Sequence, residues 1–152
     1  MPSRRGADDR PIALDRVIAI AEFQAALRRF LRHSERIANQ HELTPQRYLL
    51  LLMIKGAVDG SERLSVGETA DRLQLGDNTT TELINRAERS GLVQRERSTE
   101  DARVVYLHLT KTGNRRLEAV LRELDADRER LDAALRSLSR SFRRTASPKT
   151  QP

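Results

Sequence analysis

Residues 64–109 read LSVGETADRLQLGDNTTTELINRAERSGLVQRERSTEDARVVYLHL, and the order of patterns in them decides the fold. A short extended piece, Leu64-Ser65-Val66, leads into a helix over 67–73, a break at Leu75-Gly76-Asp77, a second helix over 78–90 and a glycine stop at Gly91. Two runs of alternating residues follow, 92–98 and 104–109, around the polar connection Ser98-Thr99-Glu100-Asp101-Ala102-Arg103.

Two short helices closed by a tight turn and followed by a hairpin with a charged tip predict a winged helix-turn-helix. On the second helix Leu83, Ile84 and Ala87 share one face, with Thr80 one turn below, while Asn78, Thr81, Glu82, Asn85, Arg86 and Arg89 point the other way. Amides, hydroxyls and guanidinium groups are the side chains that reach base edges and phosphates from a helix in a major groove. The same composition also suits a merely solvated helix face, so this helix alone does not decide. The hairpin does more. Its strands set Val93, Arg95, Arg97 and then Val105, Leu107, Leu109 at period two, and its tip carries Arg103, which fits a narrow minor groove. Asp101 is expected to hold that guanidinium by a bidentate contact; the plainer alternative is a surface ion pair worth ~0–1 kcal/mol.

The ordered set Leu-Ser-Val, Leu-Gln-Leu, an Asn/Thr-rich helix, Arg-Ala-Glu-Arg-Ser-Gly-Leu-Val, Ser-Thr-Glu-Asp-Ala-Arg and His-Leu-Thr-Lys-Thr-Gly resembles the MarR-type winged-helix transcriptional regulators, most densely over 64–113. That resemblance implies that Asn78, Thr79, Thr81, Asn85 and Arg86 face a major groove. It further implies that Arg103 enters the minor groove with Asp101 orienting it, and that Arg95 and Arg97 meet phosphates. It also implies a homodimer joined by its N- and C-terminal helices, and small aromatic or phenolic effectors bound between those helices and the winged lobes. Glu82 stands where the family is often basic and is expected to pair with Arg86 at i,i+4. Ala102 stands where a second wing arginine is common, and the C-terminal region reads as one helix where the family usually has two.

The flanking segments support a dimer on their own pattern. A long helix is expected from residue 12 to about 41, with one stripe through Ile20, Phe23, Leu27, Phe30, Ser34, Ile37 and His41 and a second through Leu14, Val17, Ile18, Ala21 and Ala25. Thr44-Pro45 is a helix start, a hydroxyl cap before a proline at the first position. After Thr110 a single helix is expected to about 142, with Leu117, Leu121, Leu124, Leu131, Leu135, Leu138 and Phe142 in steps of three and four once Arg128 is inserted. A leucine seam of that length normally meets another helix. Ile20, Phe23, Leu27, Leu121, Leu124, Leu131, Leu135 and Leu138 are therefore the expected dimerisation residues. A two-fold dimer sets two recognition helices ~34 Å apart, which requires an inverted repeat in double-stranded DNA.

The expected class is mainly α with a small β-hairpin wing: an arm at 1–11 and a dimerisation helix at 12–43 precede a winged lobe at 44–109. A second dimerisation helix at 110–142 and a basic tail at 143–152 follow, and both arm and tail are expected to be disordered. Of 152 residues, 38% are hydrophobic, 3% aromatic and 33% charged, which favours striped helices over one large interior. The formal charge is +6, suited to a polyanion. Its distribution is uneven: 77–116 holds eight basic against six acidic residues, whereas 137–152 holds four basic and no acidic ones. A helical scaffold protein binding nucleic acid non-specifically through that tail is the competing reading. There is no cysteine, so disulfides and thiolate metal sites are excluded. No phosphate loop, nucleophile elbow or metal-ligand cluster occurs, so no enzyme, metal or cofactor is expected. The first residues lack the apolar core of a signal peptide and the longest apolar run, 48–54, is too short to span a bilayer. A cytoplasmic repressor, released by a small aromatic ligand, is the expected function.

Overall fold

A computed structural model describes residues 11–145. Its elements are α1 (Leu14–Gln40), α2 (Pro45–Lys55), β1 (Arg63–Ser65), α3 (Val66–Leu73), α4 (Asp77–Arg89), β2 (Val93–Arg97), β3 (Val105–Leu109), α5 (Lys111–Glu123) and α6 (Asp125–Thr145). The expected arm, except for Pro11, and the tail beyond 145 lie outside the described residues; Arg143 and Arg144, assigned to the tail, continue α6.

Among the described residues the chain forms two compact units, one of 32–125 and one that joins 11–31 to 126–145. The larger unit is wider than the expected lobe because elements on both sides close its core. Ile37 and Ala38 of α1 and Leu117, Val120 and Leu124 bury into the same cluster as Leu50, Leu51, Ile54, Ile84, Leu92 and Leu107. The sheet has three antiparallel strands in the order β1-β3-β2, so β3 is central and Leu107, wholly buried, faces the helices. Register sets Leu64 opposite Leu107 and Arg95 opposite Leu107 on the other side.

Local chemistry starts and stops these helices. Thr44 accepts from the Arg47 N–H at 3.2 Å and Pro45 follows, as the sequence implied. Ser65 and Glu68 complete a capping box: the Glu68 N–H donates to the Ser65 hydroxyl at 3.2 Å and the Ser65 N–H to the Glu68 carboxylate at 2.8 Å. The turn between α3 and α4 reverses at Gln74, which takes the left-handed conformation (φ 55°, ψ 39°), and not at Gly76, which is extended.

The C-terminal region differs from the single helix expected. Leu124 leaves helical geometry (φ −90°, ψ 1°) and separates α5 from α6. Neither glycine nor proline marks the break. The break falls where the chain passes from one unit to the other: Leu117, Val120 and Leu124 are fully enclosed in the larger unit, whereas Leu131, Leu135 and Leu138 belong to the smaller one. The apparent seam therefore serves two bodies. Leu124, expected at a subunit interface, is a core residue of the lobe, and Leu121 is half-buried against that same core.

In the smaller unit the Arg16 guanidinium lies over the Phe142 ring at 3.9 Å, tying the start of α1 to the end of α6. No described residue of this unit is buried. Leu14 is 72% exposed, Ile18 55% and Leu135 47%, so the unit presents an apolar surface.

Candidate nucleic-acid interface

The face of α4 opposite the core is assembled as the helical period requires. Thr80, Leu83, Ile84 and Ala87 are buried, and Asn78, Thr79, Thr81, Glu82, Arg86 and Arg89 are exposed. Helices α2, α3 and α5 each begin with a side-chain cap; α4 begins at Gly76 with none. The Arg86 guanidinium stands 3.6 Å from the Glu82 carboxylate, the i,i+4 pair expected from the sequence. Both side chains are well exposed, so the pair contributes at most ~0.5 kcal/mol and leaves Arg86 available to a stronger anion.

The wing tip folds on its own polar groups. The Ser98 hydroxyl accepts from the N–H groups of Glu100 at 3.2 Å and Asp101 at 3.3 Å, and the Ser98 N–H donates to the Val104 carbonyl at 2.9 Å. Asp101 does not orient the Arg103 guanidinium. Its carboxylate accepts from the Arg103 backbone N–H at 2.9 Å, the local i to i+2 bond that a short acidic side chain makes in a turn. Asp101 thus shapes the loop, and the exposed Arg103 side chain projects from a tip that its backbone holds.

Arg95 is also placed otherwise than expected. It reaches from β2 to α4, ion-paired with Glu88 and donating to the Asn85 side-chain oxygen at 2.8 Å. Asn85, expected at base edges, is half-buried and shares that network. Arg97 is exposed on the same strand. On the facing strand His108 meets Gln94 at 3.2 Å, which knits the wing across its base.

The wing is joined to α5 by one tight junction. The Thr110 hydroxyl accepts from the Gly113 N–H at 3.0 Å and donates to the Gly91 carbonyl at 2.6 Å, while the Thr110 N–H donates to the Leu92 carbonyl at 3.0 Å. Gly113 lies flat against Leu92: a methyl group built there would overlap the Leu92 carbonyl oxygen and stand 3.1 Å from its carbon. One glycine thereby sets how the end of α4, the wing and α5 meet.

A family model described as transcriptional regulator SarA/Rot matches residues 32–120, nearly the whole larger unit. The chain belongs to the SarA/Rot family of winged-helix transcriptional regulators. The HTH-type transcriptional regulator TtmR of Methylorubrum extorquens is 40% identical over 111 residues, covering 73% of this chain and 54% of that protein. This chain thus spans about half the length of that relative. NadR, solved in complex with 4-hydroxyphenylacetate, superposes with a TM-score of 0.65 at 23% identity, over 89% of this chain and 86% of that one. A mutant MarR from E. coli, solved with operator DNA, superposes at 0.63 and 15% identity, over 90% of this chain and all of that one. The MarR-type fold expected from the sequence is therefore the fold observed, and the relatives of this SarA/Rot-type chain are regulators, not enzymes.

Elsewhere on the lobe, a cleft of about 350 Å³ lies between the 58–63 loop, α3 and Tyr106, none of whose lining residues belongs to the face just described. Arg63 stacks on Tyr106 at 4.2 Å at its edge. The Ser61 hydroxyl and N–H hold the exposed Asp59 carboxyl below the ordinary carboxylate range. No group of His, Cys, Asp or Glu among the described residues is arranged to hold a metal, and no described helix is long and apolar enough to cross a membrane. Two of the positions that build the interface carried no expectation from the sequence. Ser98 had a findable signal, a serine opening a polar turn. Glu88 had none, because its partner lies on another element.

Proposed function

We propose that this protein is a cytoplasmic repressor that binds an inverted-repeat operator in double-stranded DNA as a homodimer and is released by a small aromatic or phenolic ligand. The observation that carries the reading is the joint presentation of an exposed polar α4 face and an arginine at a self-ordered wing tip. Asn78, Thr79, Thr81 and Arg86 read the major groove with Asn85 behind them, Arg103 enters the minor groove, and Arg97 meets phosphate. The dimer is supported by the smaller unit, where α1 and α6 expose apolar side chains and bury none among the described residues. Ile20, Phe23, Leu27, Leu131, Leu135 and Leu138 supply that contact, without Leu124. The structural neighbour NadR holds 4-hydroxyphenylacetate, which supports a ligand of that class here.

Arg103→Ala is expected to weaken binding to a selected duplex by about 1–3 kcal/mol, with no change in the thermal midpoint, since Arg103 is exposed. Fluorescence anisotropy with labelled duplexes measures this. The tail, with its excess of basic residues, supports the competing reading of non-specific binding. In that case Arg103→Ala would leave affinity unchanged, and removal of residues 143–152, with Arg143, Arg144 and Lys149, would weaken binding to every duplex alike.

A further inference from the structure

The guanidinium of Arg95 does two things at once. One of its nitrogens donates to the Asn85 side chain at 2.8 Å, and the other is engaged by the Glu88 carboxylate. A guanidinium has donors only, so the end of the amide that faces it must be the carbonyl oxygen, and the NH2 group is the end left to face outward. An asparagine that reads adenine uses both ends, accepting from N6 and donating to N7. The Arg95 contact occupies one of the two lone pairs of that carbonyl, which weakens Asn85 as an acceptor and leaves both donors of its NH2 group. Donors match the N7 and O6 of guanine, the N7 of adenine or the O4 of thymine, and find no acceptor on cytosine, whose edge presents the N4 amino group. Glu88 meanwhile pairs with Arg95 and holds it against α4. The side chains of Arg95 and Glu88 are 32% and 39% exposed.

We infer that Arg95 is a positioning residue that presents Asn85 as a hydrogen-bond donor, so that the base pair read by Asn85 is chosen for an acceptor edge, and that Arg95 itself contacts no phosphate. The inference rests on the reading of α4 as the DNA reader. It names the chemistry of one contact within that reading and assigns Arg95 to a role different from that of Arg97.

The test uses the full chain and a duplex selected from a random pool. The position at which Asn85→Ala loses discrimination is varied through all four base pairs, and affinity is measured for the wild type, Arg95→Met and Arg95→Lys at several salt concentrations. The wild type is expected to disfavour cytosine at that position, against the other three bases, by about ten-fold. Arg95→Met, which keeps length and loses every donor, flattens or reverses that preference while the dependence of affinity on salt is unchanged. Arg95→Lys, which still donates to the carbonyl, retains it. A wild type that prefers cytosine at that position overturns the inference. So does an Arg95→Met variant that loses affinity equally on all four duplexes with a salt slope smaller by about 1, the mark of a lost phosphate contact. A wild type that selects no duplex overturns the DNA reading itself and the inference with it, and differs from the preceding outcomes because there the wild type still selects.

Discussion

Truncation of Leu124 to alanine is expected to destabilise the winged lobe by about 2–5 kcal/mol, the range for a fully buried leucine that leaves a cavity. Leu124 is completely enclosed beside Leu117 and Val120. The loss is therefore a property of the single chain, and the midpoint of chemical denaturation should fall by the same amount at every protein concentration. Leu135→Ala makes the contrast. Leu135 is 47% exposed in the single chain, so its loss should leave the lobe intact and instead raise the concentration at which dimers dissociate. Denaturation curves followed across a range of concentrations, with sedimentation on the same samples, separate the two. Equal and concentration-dependent effects at both positions would restore Leu124 to a subunit seam and contradict the division of the leucines between two bodies.

The second large effect is expected at Gly113. Alanine there adds one methyl group against the Leu92 carbonyl, which is backbone and cannot swing aside. Overpacking of this kind typically costs about 1–3 kcal/mol, and contact with main chain rather than a flexible side chain argues for the upper part of that range. The damage should also reach function. Leu92 opens the wing, and its carbonyl is held by the Thr110 N–H at 3.0 Å, so displacing it moves the wing relative to α4. Thermal denaturation together with DNA affinity of the protein that remains folded measures both. Wild-type values for Gly113→Ala in the two measurements would show that the junction yields freely and that it does not set the wing.

Where the sequence was legible, burial and periodicity coincided. The apolar face of α4, the alternation in β3, the hydroxyl caps Thr44 and Thr110 and the glycine after α4 each report on structure within a few residues, and the structure contains them; in β2 only Val93 is buried, so the alternation expected there is absent. The break at Leu124 was hidden because steps of three and four continue through it; a leucine buried in its own lobe and one left for a second surface leave the same mark in a one-dimensional pattern. The wing arginines were hidden for a different reason. Arg95 and Arg97 occupy equivalent places in an alternating strand, but Arg95 meets Asn85 and Glu88, ten and seven residues away on another element. Asp101 fell between the two cases: its short carboxylate had a backbone donor two residues on, and that local bond took precedence over the longer reach to the guanidinium.

The Leu-Thr-x-x-Gly order at 109–113, quoted above only as part of a family likeness, also acquires a physical reason. Thr110 caps α5 with its hydroxyl and binds the Gly91 carbonyl through the same group, and only a residue without Cβ fits where Gly113 meets Leu92. The motif is the joint between the end of α4, the wing and the helix that follows.

The central claim is that paired copies of this chain present α4 and Arg103 to the grooves of one duplex. Selection of bound DNA from a random pool tests it most directly, since half-site sequence, symmetry and spacing are read together. The account predicts an inverted repeat whose half-site centres lie about one helical turn, ~10 base pairs, apart, lost when Arg103 is replaced by alanine. A pool that remains random after selection, or a single asymmetric site enriched equally by the wild type and Arg103→Ala, would contradict it.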